Sequence, residues 1–361
     1  MIIRRAIKYS LNKANKNKLD CLDSLFADYQ AQLQYYIDLI WDKQLGLSKN
    51  LSSKDLPHLR FMHSRWKQIC YKQASEIIRS NSKRKKTSKP LIKNIAINLD
   101  ERVFDLRQGK LFDHFIKIIL PYFNQKGTRA LSVRLPFNSH SFAQKYGDWK
   151  QLNTVKIKKQ GKNYILYITL EKDVPKKLGG REVGADAGYN KLYSLSDGVV
   201  IGDDMKILYD KISRKRQGSK AFKRALIERN EKINTLLKSI DLSNVKIMYV
   251  ENLKNLNKNV RKNNKRRKKQ MNKQQRWVYS YSLNKLEYIC NESGVELVKV
   301  SPEYTSQRCS ECGAIHSESR EGELFECIVC GIELDADDNA SRNILYRGKY
   351  GVSTTGKLFV N

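Results

Sequence analysis

VGADAGYNKLYSLSDGVVIG, residues 183–202, is the stretch on which the fold turns. It reads as strand, tight turn, strand, a second turn at Asp197-Gly198, and strand. Asp-Gly between apolar runs marks a hairpin, because both residues reach the backbone angles such a turn needs. An acid, Asp186, stands in the run Gly184-Ala185-Asp186-Ala187-Gly188, at the head of this hairpin.

Downstream, residues 219–240 have helical period, with Phe222, Leu226, Ile233, Leu237 and Ile240 on one side. KIMYVENL at 246–253 is a short apolar run of the kind found in buried central strands, and Glu251 ends it. Residues 277–293 read as a helix stopped by Gly294, and VELVKVS at 295–301 as a strand. DADDNASRNILYRG, from residue 335, opens a last helix, with Asp337 expected just before the segment Asn339 to Leu345. The order strand–strand–strand–helix–strand–helix suits an RNase H-like α/β sheet.

Upstream the character changes. Ile2, Ile3, Ala6 and Ile7 alternate loosely, as in a strand. From Leu19 the period lengthens: Leu22, Leu25, Phe26, Tyr29, Leu33, Tyr36, Ile37, Ile40 and Trp41 mark a long amphipathic helix. A second helix carries Trp66, Ile69, Cys70, Gln73 and Ile77, and runs into the basic stretch SNSKRKKTSKP closed by Pro90. Alternation returns at Ile92, Ile95, Ile97 and Leu99, then at 131–137, and 154–172 forms a hairpin about Gln160-Gly161. The first 175 residues therefore read as an α+β, β-rich domain with a helical insertion after its first strand.

Composition narrows the partner. Among 361 residues, 69 Lys and Arg against 37 Asp and Glu leave a formal charge of +32. Solubility needs only a few charges, so such an excess points to a polyanion, with nucleic acid first. A 40% apolar content excludes a wholly disordered chain. No apolar run nears the roughly 18 residues of a membrane span, and the N-terminus has no signal-peptide core, so a cytoplasmic protein without a membrane partner is expected.

The seven cysteines divide. Cys21, Cys70 and Cys290 stand singly in helix-like stretches and read as small buried hydrophobes. Cys309, Cys312, Cys327 and Cys330 form two C-x2-C pairs fourteen residues apart. Four thiolates in that layout satisfy tetrahedral zinc and leave no open position, so the ion would be structural. Each pair ends in a glycine, Gly313 or Gly331, which lets the backbone curl under the metal.

Asp186, Glu251 and Asp337 lie at strand edges and a helix start within a strongly basic chain. Three such acids gathered together would be costly without cations. Two magnesium ions would compensate them and could clamp the attacking and leaving oxygens of phosphodiester hydrolysis.

Four segments resemble the TnpB family, transposon-encoded relatives of the type V CRISPR effector nucleases. They are GADAGYNKLYSLSDG, YVENLKNL, SPEYTSQRCSECG with ECIVCG, and DADDNASRNIL; they stand in the family's order and cover the C-terminal half. Here Asp338 fills the variable place beside Asp337, and Ala185 and Ala187 stand where the family usually carries bulkier apolar residues. The resemblance implies a RuvC nuclease with catalytic acids at Asp186, Glu251 and Asp337, and a zinc ribbon inserted between the second and third. It implies a guide RNA, double-stranded target DNA, and action on the nucleoid of a prokaryotic cell.

The N-terminal half matches by architecture, a wedge-type β-barrel with a helical recognition insertion. The expected domains are 1–10 with 91–176 (wedge), 11–90 (recognition), 177–301 with 334–361 (RuvC) and 302–333 (ribbon). A compact type V CRISPR effector, a non-cleaving RNA-guided regulator of the same fold, and a DNA-joining transposase are the alternatives. Finally, 254–276 holds eleven Lys or Arg in 23 residues and no acid. It reads as a loop, either merely solvated or contacting phosphate through residues such as Arg266, Arg267, Lys268 and Lys269. Arg308, beside Cys309, is a further candidate for nucleic-acid contact.

Overall fold

Asn15 caps α1 (Lys16–Trp41) by accepting a hydrogen bond from the Lys18 amide, which satisfies one of the orphan donors of the first turn. The helix buries Leu22, Leu25, Phe26, Tyr29, Leu33, Tyr36, Ile37 and Ile40, the stripe that its period predicts. In this computed structural model all residues are described except 48–50, 62, 85–86, 128, 254–278 and 352–361. The chain falls into two compact units, Ile2–Lys172 and Met1 with Asp173–Asn361.

In the first unit, β1 (Ile2–Ser10) leads into α1, and α2 (Ser64–Ser82) packs on α1 through Trp66, Cys70 and Ala74. Two sheets complete it. One has the order β1-β7-β6-β2, with β2 (Ala96–Asp100), β6 (Lys150–Gln160) and β7 (Asn163–Asp173); the other joins β3 (Phe104–Gln108), β4 (His114–Phe123) and β5 (Ala130–Phe137). A short α3 (Ser141–Gln144) follows β5. Both sheets and both long helices share one apolar core.

The sequence did not disclose β3 and β4. In β4, apolar residues face both sides, and its pairing with β5 shifts register between Ile119 and Phe123, around Pro121. That irregularity hides the period-2 signal. Of the single cysteines, Cys70 and Cys290 are buried, but Cys21 is exposed, turned away from the buried stripe of α1.

The second unit is built on one five-stranded sheet, order β10-β9-β8-β11-β12. Its strands are β8 (Arg181–Asp186), β9 (Tyr193–Leu195), β10 (Val200–Ile201), β11 (Val245–Glu251) and β12 (Glu296–Val300). The first three form an antiparallel meander, while β8, β11 and β12 run parallel. Two helices join β10 to β11 where the sequence suggested one: α4 (Met205–Ser213) and α5 (Lys220–Lys238). The Asp204 side chain at the start of α4 makes no capping hydrogen bond. α6 (Tyr279–Glu292) precedes β12 and ends at Gly294, whose φ of +72° suits glycine.

Next come three short strands, β13 (Arg320–Glu321), β14 (Leu324–Glu326) and β15 (Glu333–Asp335), which form a small antiparallel sheet around Phe325. α7 (Ala336–Tyr350) then returns to the large sheet. It begins at Ala336, earlier than the sequence suggested, because Asp335 caps it: Asp335 Oδ1 accepts from the amides of Asp337 at 3.0 Å and Asp338 at 3.2 Å. Asp337 thus lies inside the first turn rather than ahead of it. Among the described residues no helix is long and apolar enough to cross a membrane.

α7 crosses β8 at Gly184 and β11 near Gly348. A Cβ at Gly184 would collide with the Ser341 carbonyl and the Leu345 amide of α7, and one at Gly348 with the Tyr249 ring. Gly184→Ala should therefore destabilise the protein by about 1–3 kcal/mol, since backbone must move to admit it. Gly179→Ala, where a Cβ meets open space, should change little. Denaturant unfolding of the two variants measures the difference.

Candidate functional site

β8 and β11 are parallel neighbours, and Ala185 pairs with Val250. The next residue of each strand is an acid, so Asp186 and Glu251 stand together at the same edge of the sheet. α7 brings Asp337 to that edge from its first turn. The carboxylates sense one another. Burial, Glu251 and Asp337, in that order, push the Asp186 carboxyl up to about 8, against the opposing pull of Arg320. Burial raises Glu251 as well, offset by the Thr305 hydroxyl and by Arg347 and Arg320.

Cations already attend Asp337. Arg320 Nη2 lies 3.3 Å from its Oδ1, and Lys191 Nζ 3.6 Å from its Oδ2. Lys191 also binds the capping residue Asp335 at 2.6 Å, tying the loop after β8 to the head of α7. The donors suit a hard divalent cation: they are carboxylate oxygens only, and Asp186 remains charged at neutral pH only with compensation. Among the described residues, a tighter cluster is formed by four cysteines, whose sulfurs all lie within 4.8 Å of one another.

That quartet is Cys309, Cys312, Cys327 and Cys330. Cys309 and Cys330 Sγ are 3.7 Å apart and Cys312 and Cys327 Sγ 3.6 Å, far beyond a disulfide bond of about 2.05 Å. Thiolates around zinc at about 2.3 Å would be about 3.8 Å apart, so the spacing fits a tetrahedral ion. The two knuckles share one pattern. The Gly313 amide donates to the Cys309 carbonyl, and the Gly331 amide to the Cys327 carbonyl. Both glycines have positive φ, +78° and +71°.

Arg308 is half-buried between this knuckle and α7. Its Nη1 donates to Asn343 Oδ1 at 2.7 Å and to the Cys309 carbonyl at 3.2 Å, and its guanidinium lies 4.2 Å over the Tyr346 ring. Arg266, Arg267, Lys268 and Lys269 lie outside the described residues. Sequence reasoning missed Lys191, Arg320 and Thr305. Each lies in a turn or between the cysteine pairs, and nothing in the spacing ties it to an acid far along the chain.

The family model "Cas12f1-like, TNB domain" matches residues 279–344, which run from α6 through the cysteine module into α7. The CRISPR-associated endodeoxyribonuclease Cas12f1 of Sulfoacidibacillus thermotolerans is 49% identical over 71 residues, 19% of this chain and 17% of that protein. The TnpB-like protein aq_aa05 of Aquifex aeolicus (strain VF5) is 26% identical over 242 residues, 54% of this chain and 77% of that one. A cryo-EM structure of a Cas12f1–sgRNA–target DNA complex superposes with a TM-score of 0.56 at 16% identity, covering 91% of this chain and 81% of that chain. The resemblance to TnpB and compact type V proteins read from the motifs is borne out, as is a multidomain mixed α/β fold. The match spans less than a fifth of the length of the Cas12f1 relative.

Two outcomes follow. Protein purified without chelator should carry about one equivalent of zinc per chain, and Cys327→Ser should lose it; elemental analysis decides. The second concerns protons. Because the folded Asp186 carboxyl titrates near 8 rather than near its ordinary 3.8, its own contribution to the stability of the metal-free fold is fully present below the ordinary value and is lost as pH rises through about 8. A divalent cation that binds the carboxylate should release a proton at pH 7, and Mn2+ affinity should rise up to about tenfold per pH unit before levelling above pH 8. Calorimetry in two buffers of different ionisation enthalpy measures the proton count.

Proposed function

We propose that this chain is an RNA-guided DNA endonuclease whose single site hydrolyses phosphodiester bonds of target DNA beside a short flanking motif. The observation that carries this reading is the meeting of Asp186, Glu251 and Asp337 at one sheet edge, with Asp186 buried among carboxylates. Asp186, Glu251 and Asp337 would hold two magnesium ions. When bound, such ions supply Lewis-acid stabilisation and a nucleophilic water at neutral pH. The chain's own part is to hold three carboxylates from separate segments in one place and to balance Asp337 with Lys191 and Arg320.

On this reading the second unit is a RuvC domain, residues 177–301 with 334–361, and 302–333 is a target-nucleic-acid-binding ribbon held by zinc. The first unit is then a wedge-type barrel, 1–10 with 91–176, carrying a recognition insertion at 11–90. The +32 charge serves guide RNA and double-stranded DNA, with base pairing supplying sequence choice. Arg266, Arg267, Lys268 and Lys269 contact phosphate, and Arg308 supports the nucleic-acid face of the ribbon. The protein acts in the cytoplasm of a prokaryotic cell.

A compact type V CRISPR effector is the second reading, favoured by the Cas12f1-like match over 279–344. The origin of the copurifying RNA, a transposon end or a CRISPR array, separates the two. A non-cleaving regulator would be expected to lack an acid, and all three are present.

Asp186→Ala and Glu251→Ala test the site. Each should lower DNA cleavage by more than the roughly 10–100-fold typical of losing an outer-shell partner, while RNA-guided binding holds. Cleavage at the wild-type rate by either variant would remove that residue from the site.

A further inference from the structure

Glu251 is fixed from a direction that the sequence does not reveal. Thr305, only 3% exposed, has its hydroxyl in hydrogen-bond contact with Glu251 Oε1 and 3.1 Å from a second acceptor, the Pro302 carbonyl, and the Tyr279 hydroxyl donates to the Glu251 carbonyl. Thr305 belongs to the segment that runs into the first zinc knuckle, and two asparagines of α7 grip that segment. Asn343 Nδ2 donates to the carbonyls of Thr305 at 3.1 Å and Arg308 at 2.6 Å. Asn339 Nδ2 donates to the Arg308 carbonyl at 2.8 Å, while its Oδ1 accepts from the Ser310 amide at 2.8 Å. Both asparagines are buried, at 0% and 2% exposed, one helical turn apart on the same face. Cys309 sits between two of the three residues they hold, Arg308 and Ser310.

Polar side chains this deeply buried are retained at a cost unless each bond is made, and here the bonds hold the backbone of the segment whose Thr305 hydroxyl meets the Glu251 carboxylate. A flexible glutamate ending a strand would otherwise sample several rotamers. The path from α7 through Asn343 to Thr305 removes that freedom, occupies Oε1 and leaves Oε2 for a cation. The helix that bears Asp337 thereby also sets Glu251.

We infer that Thr305 is a positioning residue for the acid site: its hydroxyl locks the Glu251 carboxylate for divalent-cation binding, and the asparagines of α7 and the base of the zinc knuckle hold Thr305 in place. This inference rests on the metal-site reading given above, and it reaches residues that lie outside the three acids.

The test uses the full-length, zinc-loaded chain and Mn2+ as the probe, with binding followed by the EPR signal of free Mn2+. Thr305→Val keeps the shape and deletes the hydroxyl; Thr305→Ser keeps the hydroxyl. Zinc content and the melting temperature are recorded for each. Thr305→Val should weaken Mn2+ binding about 10–100-fold with zinc intact, and Thr305→Ser should stay within a few-fold of wild type. Should Thr305→Val lose zinc, Thr305→Ala, which adds no bulk, must show the same loss of Mn2+ affinity with zinc retained. Wild-type affinity in a zinc-loaded Thr305→Val or Thr305→Ala protein overturns the inference, as does equal weakening in Thr305→Ser. If the wild-type chain has no Mn2+ site that Asp186→Ala abolishes, the metal-site reading itself fails and the inference falls with it.

Discussion

The structure depends on a juxtaposition that water would not tolerate cheaply. Two parallel strands, β8 and β11, are paired in a register that places an acid immediately beyond Ala185 and another beyond Val250. A helix is then laid across the same sheet so that its first turn adds a third. Burial and mutual repulsion together drive Asp186 toward the protonated form. A fold evolved only for stability would place apolar groups here. Retention of three carboxylates makes chemical sense if a cation supplies the missing charge, which links the packing of the sheet to the chemistry of the site.

Much of this rests on α7. Its cap Asp335 fixes the first turn and is bound by Lys191 from the loop after β8. Asp337 faces the other acids, Asn339 and Asn343 hold the knuckle loop, and near Gly348 the helix lies closely on Tyr249. A single fifteen-residue element therefore sets the distance to β8, the orientation of Glu251 and the attachment of the cysteine module. The cysteine module is joined to the acid site through a continuous set of hydrogen bonds and is more than an appendage of the loop that carries it.

How much of this could be read without coordinates follows from the range of the interactions. The apolar stripe of α1, the hairpin about Asp197-Gly198 and the cysteine spacing are local patterns, and the structure repeats them. The three acids stood out because each ended an apolar run or opened a helix. What escaped was non-local or irregular. β4 hid behind a register shift near Pro121, and the sequence reading ran past the short α4, whose Asp204 makes no capping hydrogen bond. Thr305 touches an acid 54 positions away, and Lys191 a cap 144 positions away, so no periodicity could expose either. The basic run from Lys254 to Arg276 announces charge in its composition but not what it meets.

The central claim is that Asp186, Glu251 and Asp337 form one divalent-cation site. Crystals of the purified chain, grown in Mn2+ and measured at the manganese edge, test it most directly. The expected result is two anomalous peaks about 3.5–4 Å apart, bounded by these three carboxylates, with zinc separately at the four cysteines. Manganese absent from the acids, or bound there through only one of them, would contradict the account.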